Sequence, residues 1–289
     1  MTRLRADLLL LLTAATWGAA FYFQKEAMTW VGPLTFIAAR SWVAVIALAP
    51  LAVLERRALA RPIGGEELRT GLLAGSVFFL AAWLQQHGLI TATVTNSGFL
   101  TALYVVVTPF IAWLLLRQQP SAIVWPAAAL CFIGTWLLGG ATYGAFSIGD
   151  ALVACSALFW ALHVVLLAGA ARFEAPITLN ALQFALVGTV AGIAAFALEA
   201  PTVAGITAAW SSILFVGLLA SAVTFTLFTW AVRYTPAPEA AIIVGSESLF
   251  AALAGALLLG ERLSLISWLG AAIIVAATIL LQLRSRDQH

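Results

Sequence analysis

"TGLLAGSVFFLAAWLQQHGLITATVTNSGFLTALYVVVTPFIAWLLL" (residues 70–116) contains no Lys, Arg, Asp or Glu. A membrane-crossing helix needs roughly 20 apolar residues. The stretch is too long for one crossing and right for two, with a turn near residues 88–92. The whole chain shares its character. Hydrophobic residues make up 63% and charged residues 9%, where soluble globular chains carry about 25% charged residues. In lipid every backbone polar group must be satisfied internally, so such a chain spans as helices. The fold class is all-α integral membrane.

Counting outward from that stretch gives ten transmembrane helices. The others cover residues 8–24, 33–54, 122–139, 151–171, 175–198, 239–260 and 263–283, with one more inside 200–232. "GGATYG" (139–144) reads as a turn. The first apolar run lacks a small-residue cleavage site followed by a polar domain, so it reads as a retained helix rather than a signal peptide. With the N-terminus in the cytoplasm, eleven Lys and Arg residues fall on the inside and only Lys25 and Arg262 outside; Arg40 lies within helix 2. That is a strong positive-inside bias, and it requires an even helix count. Both termini are therefore expected in the cytoplasm. Net charge is +2, so nothing points to nucleic acid. Cys131 and Cys155 have no disulfide or metal spacing.

The chain contains itself twice. At an offset of 143 residues, Asp7 falls on Asp150, Trp17 on Trp160, Pro33 on Pro176, Ser121 on Ser264 and Trp125 on Trp268. Residues 1–143 and 144–289 each hold five helices, an odd number, so the second half must enter from the opposite side. Two inverted five-helix repeats around a central cavity are the signature of secondary transporters working by alternating access. An internal repeat also allows a functional monomer.

"IIVGSESLFAA" (242–252) then places a carboxylate, Glu247, inside an apolar run. An acid within the bilayer is costly and usually faces the bundle interior or a cavity. Its counterpart at the same offset is Tyr104. Trp17 and Trp160 share that membrane depth. Phe79, Trp83 and Gln86 recur on one face of helix 3. Asn96 and Phe99 lie one turn apart on helix 4, and His163 follows Trp160. These ten are the candidate substrate-binding residues of a cavity walled by helices 1, 3, 4, 6, 8 and 9. Aromatic walls with a few polar points suit a small organic solute. Each residue also has a plainer reading. Glu247 could bond to backbone or serine hydroxyls, the tryptophans could pack a helix crossing, and His163 could be an interior hydrogen-bonded histidine. Arg40 could snorkel outward or meet a substrate carboxylate. Gly71/Gly75 and Gly188/Gly192 are small-residue spacings that bring helices close.

"TAATWGAAF" (13–21) and "ALLLGERLSLISWLGAAIIVAATILL" (256–281) resemble the bacterial drug/metabolite transporter superfamily, in its EamA-type ten-helix branch. "LYVVVTPF" (103–110) fits the helix 4 pattern, and Glu247 matches an acid this family often carries in helix 9. Ser248 stands where the family usually has Pro, and "RQQPS" (117–121) replaces its first Gly-Glu-Arg. The mid-helix aromatics are similar to those of the aromatic amino acid exporters within this superfamily. The resemblance implies an exporter of aromatic and other neutral amino acids in the bacterial inner membrane. No catalytic residue, cofactor or metal is expected: there is no His-Glu-x-x-His and no second mid-membrane acid. A channel would need a ring of charges or a filter loop. A phosphorylated-metabolite or nucleotide-sugar carrier would need several cavity cations. Efflux of aromatic or cationic drugs by the same fold is the alternative that fits Glu247.

Overall fold

The computed structural model describes residues 1–139, 147–260 and 262–286, with side chains as far as Leu281. The described residues form helices and no strand. The long helices are α1 (Arg3–Ala27), α2 (Pro33–Leu59), α3 (Gly65–Gly88), α4 (Val94–Leu116) and α5 (Val124–Leu138). They continue as α6 (Ile148–Ala170), α7 (Pro176–Leu198), α8 (Trp210–Ala231), α9 (Ala237–Leu258) and α10 (Leu265–Arg286). Eight of these are long and apolar enough to cross a membrane, and α5 and α10 are shorter apolar helices. Helix order follows the sequence reading, but several ends run further. Helix α1 begins at Arg3, α2 reaches Leu59 and α3 begins at Gly65. Hydropathy marks the stretch that lipid would accept, whereas charged residues at an end can continue the helix into water. The expected turn at 139–144 begins at Gly139, and the rest of it lies outside the described residues.

Three of the long helices are irregular. Helix α4 is interrupted at Ala102 and Leu103, so that a new helical segment starts at Tyr104. Helix α9 is interrupted at Ser246, and its second segment starts at Glu247. Leu103 and Ser246 are 143 residues apart, the offset found in the sequence. The middle of α8, Phe215–Val223, is π-helical, a rare geometry that recurs at functional sites.

Helix α2 packs along α7, and their ends are tied reciprocally. Glu55, near the end of α2, accepts hydrogen bonds from the Ile177 amide (3.1 Å) and from the Thr178 amide and hydroxyl (2.7 Å each) at the start of α7. Glu199, just past α7, accepts from the Leu34 amide and the Thr35 amide and hydroxyl, all at 2.8 Å, at the start of α2. The two helices therefore run antiparallel. Each carboxylate sits where a helix N-terminus has free amides and favours negative charge. Leu34 and Thr35 correspond to Ile177 and Thr178 at the 143-residue offset.

Glycine sets the closest approaches. A Cβ at Gly75 would lie 3.1 Å from the Gln183 backbone, so α3 packs directly on α7. A side chain at Gly18 would meet the Ala251 amide at 2.8 Å and the carbonyl of Glu247, so α1 lies against the break in α9. Outward faces carry Ile46, Leu114, Phe196 and Leu257, each more than 70% exposed; lipid is the solvent that accepts such a surface. At the end of the bundle that carries the N-terminus, ion pairs join neighbouring elements: Arg3 with Glu239, Arg56 with Glu67, Arg172 with Glu66 and Arg233 with Glu174.

Candidate functional site

A cavity lies at the middle of the bundle, with about 590 Å³ of empty space including its mouth. Its walls come from α1, α3, α4, α6, α8 and α9, the six helices read from the sequence, and from α2. Glu247 is part of the wall and only 4% exposed. It occupies the first turn of the second α9 segment, where the helix dipole favours a carboxylate. Its serine neighbours are not its partners. The Ser246 hydroxyl donates to the Ile243 carbonyl (2.7 Å) and that of Ser248 to the Gly245 carbonyl (3.0 Å). Among the described residues no cation pairs with Glu247. Tyr104 adjoins it, and the two residues that share a sequence register meet in one cavity.

Aromatic rings fill one side. The Trp17 ring lies 4.5 Å from Phe225 and 5.6 Å from Phe228. Its indole donates to the Ala220 carbonyl at 2.8 Å, in the π-helical part of α8. Trp160 is 5.9 Å from His163 and 5.2 Å from Phe78, which stands behind both. His163 Nε2 and Gln183 Oε1 are 2.8 Å apart, and Gln183 in turn donates to Asn180. The plainer reading of His163, an interior hydrogen-bonded histidine, thus describes its nitrogen, while its ring borders the cavity. The other side is more polar. Gln24 and Arg40 line it, together with Gln85, whose amide donates to the Thr101 hydroxyl at 2.9 Å. Arg40 does not snorkel outward. It is 5% exposed, faces the cavity, and rests 5.8 Å from the Phe36 ring and 5.7 Å from the Phe78 ring.

Trp17, Tyr104, Trp160, His163 and Glu247 are therefore brought together. The other five candidates lie elsewhere. Gln86 is buried and donates to the Gln24 carbonyl at 3.0 Å, tying α3 to α1. Phe79 packs on the core. Trp83 is 37% exposed, with its ring 5.3 Å from His87. Asn96 belongs to the first turn of α4, where its backbone N–H donates to Thr93 Oγ1 at 3.1 Å. Phe99 is buried with its ring 6.2 Å from Phe132. The cavity-lining face of α3 differs by one residue from the expected one: Gln85, rather than Gln86, lines this cavity. One residue is about 100° of helix rotation, and a helix that is apolar all round gives no periodic signal to fix the angle. Phe225 and Phe228 were also missed. Phe228 is the counterpart of Gln85 at the 143-residue offset, which was the available signal. Five pairs related by that offset line the cavity: Trp17 with Trp160, Ala20 with His163, Phe21 with Val164, Gln85 with Phe228, and Tyr104 with Glu247.

The EamA-like transporter family matches this chain twice, over residues 4–140 and 147–283. The chain is 30% identical to an uncharacterized transporter of Archaeoglobus fulgidus, over 98% of this chain and 87% of that protein. It is 25% identical to the uncharacterized transporter YwfM of Bacillus subtilis, over 98% and 95% of the two chains. One crystal structure shares the fold with a TM-score of 0.78 over 99% of both chains, at 16% identity. This chain is a multi-pass membrane transporter, and it belongs to the EamA-like transporter family.

Proposed function

We propose that this transporter exports aromatic, and other neutral, amino acids across the bacterial inner membrane by alternating access. The observation that carries the reading is the cavity itself, where Trp17, Trp160, Phe225 and Phe228 stand around Glu247, an acid with no cation partner among the described residues. Ring faces suit a flat apolar side chain. A carboxylate at the same site suits an ammonium group, through a charge-assisted hydrogen bond. Tyr104 and His163 complete the proposed binding set.

Alternating access here rests on ten crossings, arranged as inverted repeats 1–143 and 144–289. The antiparallel α2–α7 pair with its reciprocal carboxylates supports that arrangement. So do the helix breaks before Tyr104 and Glu247, since discontinuous helices near the midplane recur in transporters built from inverted repeats. The five offset pairs support a cavity on the axis relating the halves, where rocking one against the other would expose it to either side. The arginine-rich end and both termini face the cytoplasm in this scheme, and a single chain embedded in lipid is the working unit.

The test is uptake of labelled phenylalanine into liposomes holding the purified protein, with threonine and a lipophilic aromatic cation as competitors. Saturable uptake blocked by threonine but not by the cation supports the reading. Transport of the cation without phenylalanine overturns it. Drug efflux, the second reading favoured by the unpaired Glu247, would then take its place.

A further inference from the structure

Arg40 is the cavity group that neither the aromatic walls nor Glu247 accounts for. It is 5% exposed, and its Nε has no hydrogen-bond partner among the described residues. Among the described residues no Asp or Glu forms an ion pair with it. A buried charge left uncompensated is costly, and the fold positions this one firmly. Phe36 and Phe78 flank the guanidinium at 5.8 and 5.7 Å, a desolvated cation–π setting. Behind it, Gly217 lets the π-helical turn of α8 sit on the Arg40 backbone, because a Cβ there would lie 2.8 Å from the Arg40 carbonyl oxygen.

The repeat supplies an internal comparison. The counterpart of Arg40 at the 143-residue offset is Gln183, which is satisfied within the chain by His163 and Asn180. The residues equivalent to those partners in the first half are Ala20 and Ile37, which have no polar side-chain atom. One half thus closes this position with a hydrogen-bonded network. The other half puts a fixed cation there, flanked by the Phe36 and Phe78 rings.

We infer that Arg40 is the carboxylate-recognising residue of the cavity, so that the transported molecule is an aromatic carboxylic acid whose anion pairs with this guanidinium. The planar fork of Arg matches a carboxylate with two parallel hydrogen bonds. The inference rests on the proposed amino acid site and narrows it: Arg40 takes the carboxylate, Glu247 the ammonium, and the tryptophans the ring.

The test is ligand binding to the purified full-length protein in detergent, followed by tryptophan fluorescence. The probes are phenylalanine, phenethylamine, which lacks the carboxylate, and 3-phenylpropionate, which lacks the amine. Arg40→Gln, which copies the residue found in the second half, should weaken phenylalanine and 3-phenylpropionate about 10- to 100-fold and leave phenethylamine within about twofold. Arg40→Lys should recover part of the loss. Equal weakening of all three probes, or of none, overturns the inference. Should Arg40→Gln fail to fold, as shown by its thermal midpoint, the wild-type protein decides: 3-phenylpropionate must bind better than its neutral alcohol analogue, and equal binding overturns the inference. The outcomes separate the two layers. Arg40-dependent binding of 3-phenylpropionate without phenylalanine sinks the amino acid reading and keeps the carboxylate site. Phenylalanine uptake unchanged in Arg40→Gln sinks the carboxylate site and keeps the amino acid reading.

Discussion

Removing the Glu199 side chain tests the tie between α2 and α7 directly. Its carboxylate accepts from the Leu34 amide and from the Thr35 amide and hydroxyl, all at 2.8 Å. Leu34 is 3% and Thr35 4% exposed, so Glu199→Ala leaves two amides that water reaches poorly. Loss of a helix cap costs about 0.5–2 kcal/mol, and loss of a charge at a helix N-terminus a further ~0.3–1 kcal/mol. Glu199 itself is half-buried, which keeps the sum near the middle, at about 1–2 kcal/mol. Glu55→Ala removes the same three bonds at the other end of the pair and should cost the same. The sites are separated by most of the length of α2, on the order of 30 Å, so the double variant should add. Glu199→Gln keeps an acceptor and loses only the charge, so its cost should be the smaller fraction. The assay is the thermal midpoint of the purified protein in detergent, read as about 2–4 °C per kcal/mol. Single variants that match the wild type would refute the capping argument. Unequal costs, or a double variant no worse than either single, would refute the equivalence of the two ends.

Trp160→Ala should weaken phenylalanine uptake more than threonine uptake, and Trp160→Phe should recover much of it; equal loss for both substrates would assign the ring to packing. Gly18→Val should abolish folding or transport, because the side chain would enter the Glu247 and Ala251 backbone; a normal yield of active protein would mean α1 and α9 are further apart. Lys25 donates to the carbonyls of Leu89, Ile90 and Ala92 at 2.6–3.0 Å. Lys25→Met should therefore destabilise by about 1–3 kcal/mol, visible as a lower thermal midpoint. Glu247→Gln should weaken binding of phenylalanine and phenethylamine while sparing 3-phenylpropionate, because its carboxylate is assigned to the ammonium; equal weakening of all three would refute that assignment.

The helical, lipid-facing class follows from composition alone, because a chain with so few charges has no way to cover itself in water. The uncharged stretch 70–116 and the arginine placement marked the order of the helices, but not their ends at Arg3, Leu59 and Gly65, where the helix continues past the apolar stretch. The constant offset of 143 residues needed no coordinates either, since it is a comparison of the chain with itself. It also singled out Trp17, Trp160, Tyr104 and Glu247, and those four share a cavity. Rotation was a different matter. Gln85 and Gln86 are adjacent and chemically identical, yet only Gln85 lines the cavity, while Gln86 ties α3 to a backbone carbonyl of α1. Local hydrophobicity says nothing about the angle of a helix whose every face is apolar. The angle is decided by contacts made elsewhere, such as Gly75 on α7 and Gly18 on α9. Arg40 shows the same division. The sequence gives a lone cation in an apolar helix, and two opposite directions were open to it. Tertiary packing chose the inward one, because Phe36, Phe78 and the glycine of the π-helical turn surround the guanidinium and its backbone. Composition and self-similarity, being sums over many residues, survive in the sequence. The facing of a single side chain depends on a few distant contacts, and only the folded chain brings those contacts together.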